Sequence, residues 1–182
     1  MKNTLVLLSA LFIIVSCSTN KNNESIVIEP SQIHASVDRV TEIMIHDIFS
    51  PPVASRIYAY PNIAAYEIIA KANGDYESLT KQLRGLNPVP AIDTTKNINP
   101  QLAALIAHMD VSKSLIFSEE RIKTLQDSLY GVWSEINLEQ FNDSKEYALV
   151  VTDHIKDWMN KDNYKQTRTM PKFTVNTDDP SR

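Results

Sequence analysis

The apolar residues of this chain recur at steps of three and four positions along most of its length. Such spacing collects them on one side of an α-helix, whereas a half-buried strand would need alternate positions. Helices of this kind joined by short connections pack side by side, so the pattern predicts an all-α, multi-helix bundle. The five stripes are Ile33, Val37, Val40, Met44 and Ile48; Val53, Ile57, Tyr60, Ala64 and Ile68; Leu102, Leu105, Ile106, Met109 and Ile116; Ile122, Leu125, Leu129, Trp133 and Ile136; and Tyr147, Val151, His154 and Trp158.

Helix boundaries are marked by proline and by short polar residues. Asn99 is a good N-cap, and Pro100 fits the first helical position, where its missing N–H is not needed. Pro61 lies within the second stripe and is expected to bend or break that helix. A short helix is expected over residues 78–86, followed by a loop rich in Pro, Asp, Thr and Asn.

The amino terminus has the layout of an export signal. Lys2 precedes an apolar run from Leu5 to Val15, which is too short to span a bilayer, since a spanning helix needs about 20 residues. The run stops at Ser16, directly before Cys17, the only cysteine of the chain. This arrangement resembles the lipobox of bacterial lipoproteins and implies cleavage before a lipidated Cys17. The alternative is an ordinary signal peptide with an incidental cysteine.

These features predict four regions: a signal peptide over residues 1–16, a polar tether over 17–30, a helical domain over 31–161 and an extended tail over 162–182. The protein is expected to be exported, held on a membrane by lipid and facing the periplasm. One cysteine excludes an internal disulfide. The net charge of −4 and the lack of a long basic stretch argue against nucleic acid as a partner.

Several common catalytic motifs are missing from the sequence. Three glycines cannot build a glycine-rich phosphate loop, and neither His-Glu-x-x-His nor Glu-x-x-His occurs. Ser78 and Lys81 match the Ser-x-x-Lys spacing of acyl-transferring serine enzymes, but the companion motifs are absent and Ser78 stands where a helix cap is expected. The sequence therefore predicts no catalytic residue, metal or cofactor held by this chain alone.

A polar ladder on the first helix is the main metal-site candidate, with His34, Asp38, Glu42 and His46 each four residues from the last. Such a ladder can bind a metal if a second helix adds ligands, but a solvated face of His-carboxylate pairs is the favoured interpretation. His154, between two aromatic residues of its stripe, is expected to be a hydrogen-bonded core histidine.

Two segments are the most distinctive parts of the sequence. Residues 46–67 read HDIFSPPVASRIYAYPNIAAYE, and residues 162–175 read DNYKQTRTMPKFTV. Both resemble the amino-terminal part of vanadium-dependent haloperoxidase-related proteins of the PAP2 phosphatase superfamily, in the lipoprotein-like branch common in Bacteroidetes. The resemblance covers essentially the whole mature chain and implies a helical fold of that type. In the complete family a pocket binds vanadate or a phosphoryl group.

The anion-binding motifs of that family are not found in this chain. Those motifs are Lys followed at a distance by Arg-Pro, then Pro-Ser-Gly-His, then Ser-Arg with a later His. No arginine here precedes a proline and no glycine precedes a histidine. The resemblance therefore implies an amino-terminal portion whose catalytic half is missing, with Lys165 and Arg168 as candidates for the edge of the anion pocket. The alternative is a free-standing helical binding lipoprotein of the envelope.

Overall fold

The structure is a computed structural model, and it describes residues 24–171. Within that part of the chain all regular structure is helical, as the apolar spacing predicts. Two 3-10 turns, Leu79–Lys81 and Asn160–Asp162, accompany six α-helices. The helices are α1 (Pro30–His46), α2 (Pro51–Ala72), α3 (Pro100–Lys113), α4 (Glu119–Ile136), α5 (Leu138–Met159) and α6 (Tyr164–Thr169).

Helix α3 is the central element of the bundle. Every residue from Leu102 to Ser112 is buried, so its apolar residues surround the helix instead of forming one stripe. It packs mainly against α2 and α5, while α1 and α4 lie against it more lightly. The Asn99 side chain accepts hydrogen bonds from the N–H groups of Gln101 and Leu102 at 3.0 and 3.2 Å, confirming the predicted cap.

The outer helices bury one face each, although two details differ from the sequence prediction. Val40 and Met44 of the first stripe are buried, but α1 ends at His46 and Ile48 lies beyond it, 87% exposed. The last two members of the α5 stripe, His154 and Trp158, are only half-buried. The stripes therefore identify much of the core, although Ile48 is exposed and other members, such as Leu125 and Leu129, are only half-buried.

One predicted helix is much shorter than expected, and Pro61 does not break another. Helix α2 is continuous from Pro51 to Ala72 and includes Pro61, which is buried. The expected helix over residues 78–86 is only the single turn Leu79–Lys81, capped by Ser78, whose hydroxyl accepts from the Thr80 N–H. A stretch of three residues is too short for a stable α-helix, so it forms a single 3-10 turn.

Both ends of the described chain are packed more closely than predicted. Ile26, assigned to the tether, is 1% exposed, and its N–H donates to Gln140 Oε1 at 2.7 Å. The prediction of an extended tail is wrong for Tyr164–Thr169, which form α6. Tyr164 is buried and its hydroxyl donates to the Leu115 carbonyl at 2.8 Å, which fixes α6 on the bundle.

The predictions for residues 1–23 and 172–182 lie outside the described residues, and Cys17 is among them. Among residues 24–171, no helix combines the length and apolar character that crossing a membrane requires.

Candidate functional site

The two segments singled out in the sequence lie against each other in the structure. Arg56, on α2, donates from Nη1 to Thr167 Oγ1 at 2.6 Å, and its Nε lies 3.5 Å from Asp162 Oδ2. The Tyr60 hydroxyl also donates to Asp162, and its ring meets that of Tyr164 edge-on at 6.3 Å. Residues about 100 positions apart in sequence thus form one connected region of α2 and α6.

A pocket of about 430 Å³ opens beside this junction and holds two arginines within an otherwise largely apolar lining. We call this surface the arginine face. It is lined by Ile48, Phe49, Ser50, Pro52, Val53, Arg56, Phe117, Thr167, Arg168, Met170 and Pro171.

Arg168 is held in place from several sides. Its Nη1 donates to the Leu115 carbonyl at 3.2 Å, and its guanidinium lies 4.5 Å from the centre of the Phe117 ring, a cation–π distance. The buried Nε has no hydrogen-bond partner among the described residues. A buried donor without a partner is uncommon in folded proteins. Lys165, the other cation expected at an anion pocket, is exposed and does not line the arginine face.

The rim of the arginine face contains an unusual helix ending. After α1, Ile48 adopts a left-handed conformation with φ of 54°, its N–H bonds to the Ile45 carbonyl, and the Phe49 N–H bonds to the Met44 carbonyl. This pair of bonds defines a Schellman motif, whose left-handed position is usually glycine. A β-branched residue is strained there, and the Ile48 side chain is turned into solvent. The sequence contains no glycine signal that could have revealed this ending.

Asp47 connects the end of α1 to the start of α4. Its carboxylate accepts from the N–H groups of Phe117 and Ser118 at 2.9 and 3.0 Å and from the Ser118 hydroxyl at 2.5 Å. Burial alone would raise the pKa of Asp47, but hydrogen bonds from Ser118, His46 and the Phe117 N–H outweigh it and lower that pKa to about 2. The side chain is 3% exposed, so this ionised group is a buried link between two helices.

The polar ladder of α1 is exposed along its length. Glu42 pairs with Arg39 at 3.1 Å, and His46 Nδ1 lies 3.0 Å from Asp47 Oδ1. His34 and Asp38 are exposed nearer the start of the helix. Among residues 24–171 no group of three or more His, Cys, Asp or Glu side chains is arranged to hold a metal ion. Within the described part of the chain, no second helix brings metal-ligating side chains to this ladder.

An apolar cleft of about 750 Å³ lies between the start of α1, α2 and α3, away from the arginine face. Tyr76 at its edge is 50% exposed, and His34 contributes one of its few polar groups. The other lining residues are Ile28, Pro30, Ile33, Asn62, Ile63, Ala65, Tyr66, Ile69, Leu79, Gln101 and Ala104.

The core histidine is His108 and not His154. His108 is 4% exposed, its Nδ1 lies 2.9 Å from the Ser36 hydroxyl, and burial lowers its pKa to about 4. His154 is half-buried and its Nε2 lies 2.9 Å from the Asn87 carbonyl oxygen. Glu67 is a second buried polar residue that the sequence did not single out, and it accepts from the Leu79 N–H at 2.7 Å.

Comparisons with known proteins identify one similar solved structure. No family model matches the chain, and no curated protein matches it. A solved structure described as the first bacterial vanadium-dependent iodoperoxidase matches at 66% sequence identity, with a TM-score of 0.82. The match covers 86% of this chain. This chain corresponds to a portion of a haloperoxidase-type protein. It spans 38% of the length of the iodoperoxidase chain.

The arginine face by itself does not fit vanadate. An oxyanion of that kind needs several uncommitted cationic donors around it, as the family motifs imply. Arg56 is already engaged by Asp162 and Thr167, and the Nη1 of Arg168 by the Leu115 carbonyl. No histidine lines the arginine face among the described residues. We therefore derive no catalytic step at this face.

Proposed function

We propose that this chain is the amino-terminal scaffold portion of a vanadium-dependent haloperoxidase-like or acid phosphatase-like envelope lipoprotein. The observation that supports the proposal is the 66% identity to an iodoperoxidase, over 86% of this chain but only 38% of that one. A scaffold of this kind positions helices, while the residues that bind the oxyanion belong to the remainder of the protein.

The scaffold role explains why the most distinctive residues of the chain are structural. Asp47 links α1 to α4, and Arg56 links α2 to the segment around α6. Neither arrangement presents a nucleophile with an adjacent base, which acyl or phosphoryl transfer by a side chain would need. The chain is accordingly expected to be inactive by itself.

The isolated chain provides the direct test. It should neither hydrolyse p-nitrophenyl phosphate nor brominate a phenol when vanadate and hydrogen peroxide are supplied. Turnover above a buffer blank that persists through a second purification would contradict the proposal. An unfolded preparation would also be inactive, so helical circular dichroism and cooperative thermal unfolding must accompany the assay.

The lipoprotein part of the proposal depends on Cys17. Several acyl chains on one residue would hold the protein on a membrane, because each buried methylene contributes about 0.8 kcal/mol. The position of Cys17 directly after the apolar run is what supports this assignment.

A second candidate is a free-standing binding lipoprotein, and the apolar cleft is the observation that favours it. Its volume of about 750 Å³ lies in the range of small-molecule sites, and its lining is mostly apolar with a few polar groups such as His34 and Gln101. This function would be supported if a hydrophobic dye such as 1-anilinonaphthalene-8-sulfonate binds the chain, if an apolar ligand displaces the dye, and if the affinity of that ligand depends on Tyr76. In a scaffold, the same cleft would take no free ligand.

A further inference from the structure

We propose that the arginine face is the surface on which the remainder of the haloperoxidase-type protein docks, and that a carboxylate of that remainder reaches Arg168. The inference rests on the proposed function, because it takes as occupant the polypeptide that corresponds to the unmatched part of the iodoperoxidase chain. It adds which surface of this chain makes the contact and what chemistry the partner brings.

The apolar rim is the first observation. Ile48, Phe117 and Met170 are 87%, 57% and 64% exposed, and all three line the same pocket. Single exposed apolar residues are ordinary, but a contiguous group around a concave surface marks an interaction site.

The strained conformation of Ile48 is an independent observation at the same place. The left-handed position of a Schellman motif accepts glycine without strain, yet this chain has a β-branched side chain there, pointing into solvent. The isolated chain gains almost no burial from that side chain. Backbone strain of this kind clusters at functional sites, and burial of Ile48 under a partner would offset its cost.

The charge of the face identifies the chemistry of its occupant. Arg56 and Arg168 both line the pocket, whereas Asp162 neutralises only Arg56, at 3.5 Å. Within residues 24–171 the contacts of Arg168 are a carbonyl and two aromatic rings, and no carboxylate of that part of the chain neutralises its positive charge. An acidic side chain within an apolar segment is therefore the complementary partner, because its carboxylate would neutralise the charge of Arg168.

Position along the chain distinguishes this face from the apolar cleft. Pro171, the last described residue, lines the arginine face, so the polypeptide that follows it is attached at this surface. With a short linker, attachment raises the effective concentration of the following polypeptide into the millimolar range, which favours docking beside the attachment point. The cleft is lined by α1, α2 and α3 and lacks this advantage.

The test uses assembly between two polypeptides. This chain, tagged, is co-expressed with the unmatched part of the solved iodoperoxidase, and the amount of that part retained with the tag is measured. Ile48→Asp and Met170→Asp alter the rim at exposed positions, and Arg168→Glu reverses the unneutralised charge. Tyr76→Asp, at the edge of the apolar cleft, is the matched control, and thermal unfolding of each purified variant shows that it folds.

We expect retention by the rim variants and by Arg168→Glu to fall at least tenfold, with Tyr76→Asp within twofold of the unsubstituted chain. A complex that tolerates the rim variants, or that Tyr76→Asp weakens as much, overturns this inference and leaves the proposed function standing. Loss with the rim variants but not with Arg168→Glu overturns the carboxylate contact. Failure of the unsubstituted chain to retain the iodoperoxidase part contradicts the inference and the proposed function together.

Discussion

Replacing Ile48 by asparagine should stabilise the isolated chain, although it removes a large apolar side chain. A left-handed conformation costs an ordinary L-residue roughly 1–2 kcal/mol, and asparagine tolerates it far better than a β-branched residue. Full burial of isoleucine contributes about 2–3 kcal/mol, but the Ile48 side chain is 87% exposed, so only about 0.3 kcal/mol of that is lost. Because asparagine removes only part of the left-handed cost, the net gain is about 0.5–1 kcal/mol in the free energy of unfolding.

Thermal unfolding followed by circular dichroism would measure this gain. For a domain of this size 1 kcal/mol corresponds to about 2–4 °C, so Ile48→Asn should raise the Tm by about 1–4 °C. Ile45→Asn is the matched control, because Ile45 is 73% exposed on the same helix in a right-handed conformation and should lose a few tenths of a kcal/mol. A decrease in Tm for Ile48→Asn as large as that for Ile45→Asn would refute the strain argument.

Three further predictions concern other parts of the chain. Asp47→Asn should lower the free energy of unfolding at pH 7 by about 2 kcal/mol, because the depressed pKa of Asp47 stabilises the fold above pH 3.8. The unsubstituted chain should lose this contribution as the pH falls towards 2. Urea unfolding at several pH values measures both effects. Because burial keeps His108 neutral, the free energy of unfolding should fall as the pH drops from 6.5 towards 4, and His108→Gln should flatten that pH dependence. An equally steep fall in the variant would contradict the assignment of this pH dependence to His108. Cys17→Ala should release the protein from membranes or leave the precursor uncut, and unchanged fractionation and processing would exclude the lipid anchor.

The helices could be predicted from sequence because their signals are local. Apolar residues at helical spacing identify the buried faces, and Asn99 is a cap whose side chain performs the expected role. The errors occurred where tertiary contacts outweigh local preference. The expected helix over residues 78–86 is only the turn Leu79–Lys81, and the expected extended tail includes α6, a short helix that Tyr164 fixes to the bundle through the Leu115 carbonyl.

The candidate site could be predicted only in part. Resemblance selected the segments at residues 46–67 and 162–175, and the structure places them in contact through Arg56 and Thr167. The left-handed Ile48 had no sequence signal, since glycine is the usual indicator of such an ending. Long-range pairs such as Asp47 with Ser118, 71 positions apart, cannot be read from spacing along one helix.

Reconstitution of iodide oxidation tests the central claim most directly, namely that this chain is a scaffold whose chemistry lies elsewhere. This chain, the unmatched part of the solved iodoperoxidase, and their co-purified complex would each be assayed for oxidation of iodide with vanadate and hydrogen peroxide. The scaffold account predicts activity in the complex and none in this chain alone, with the iodoperoxidase part much less active by itself. Activity of this chain alone, or an iodoperoxidase part as active without this chain as with it, would contradict the account.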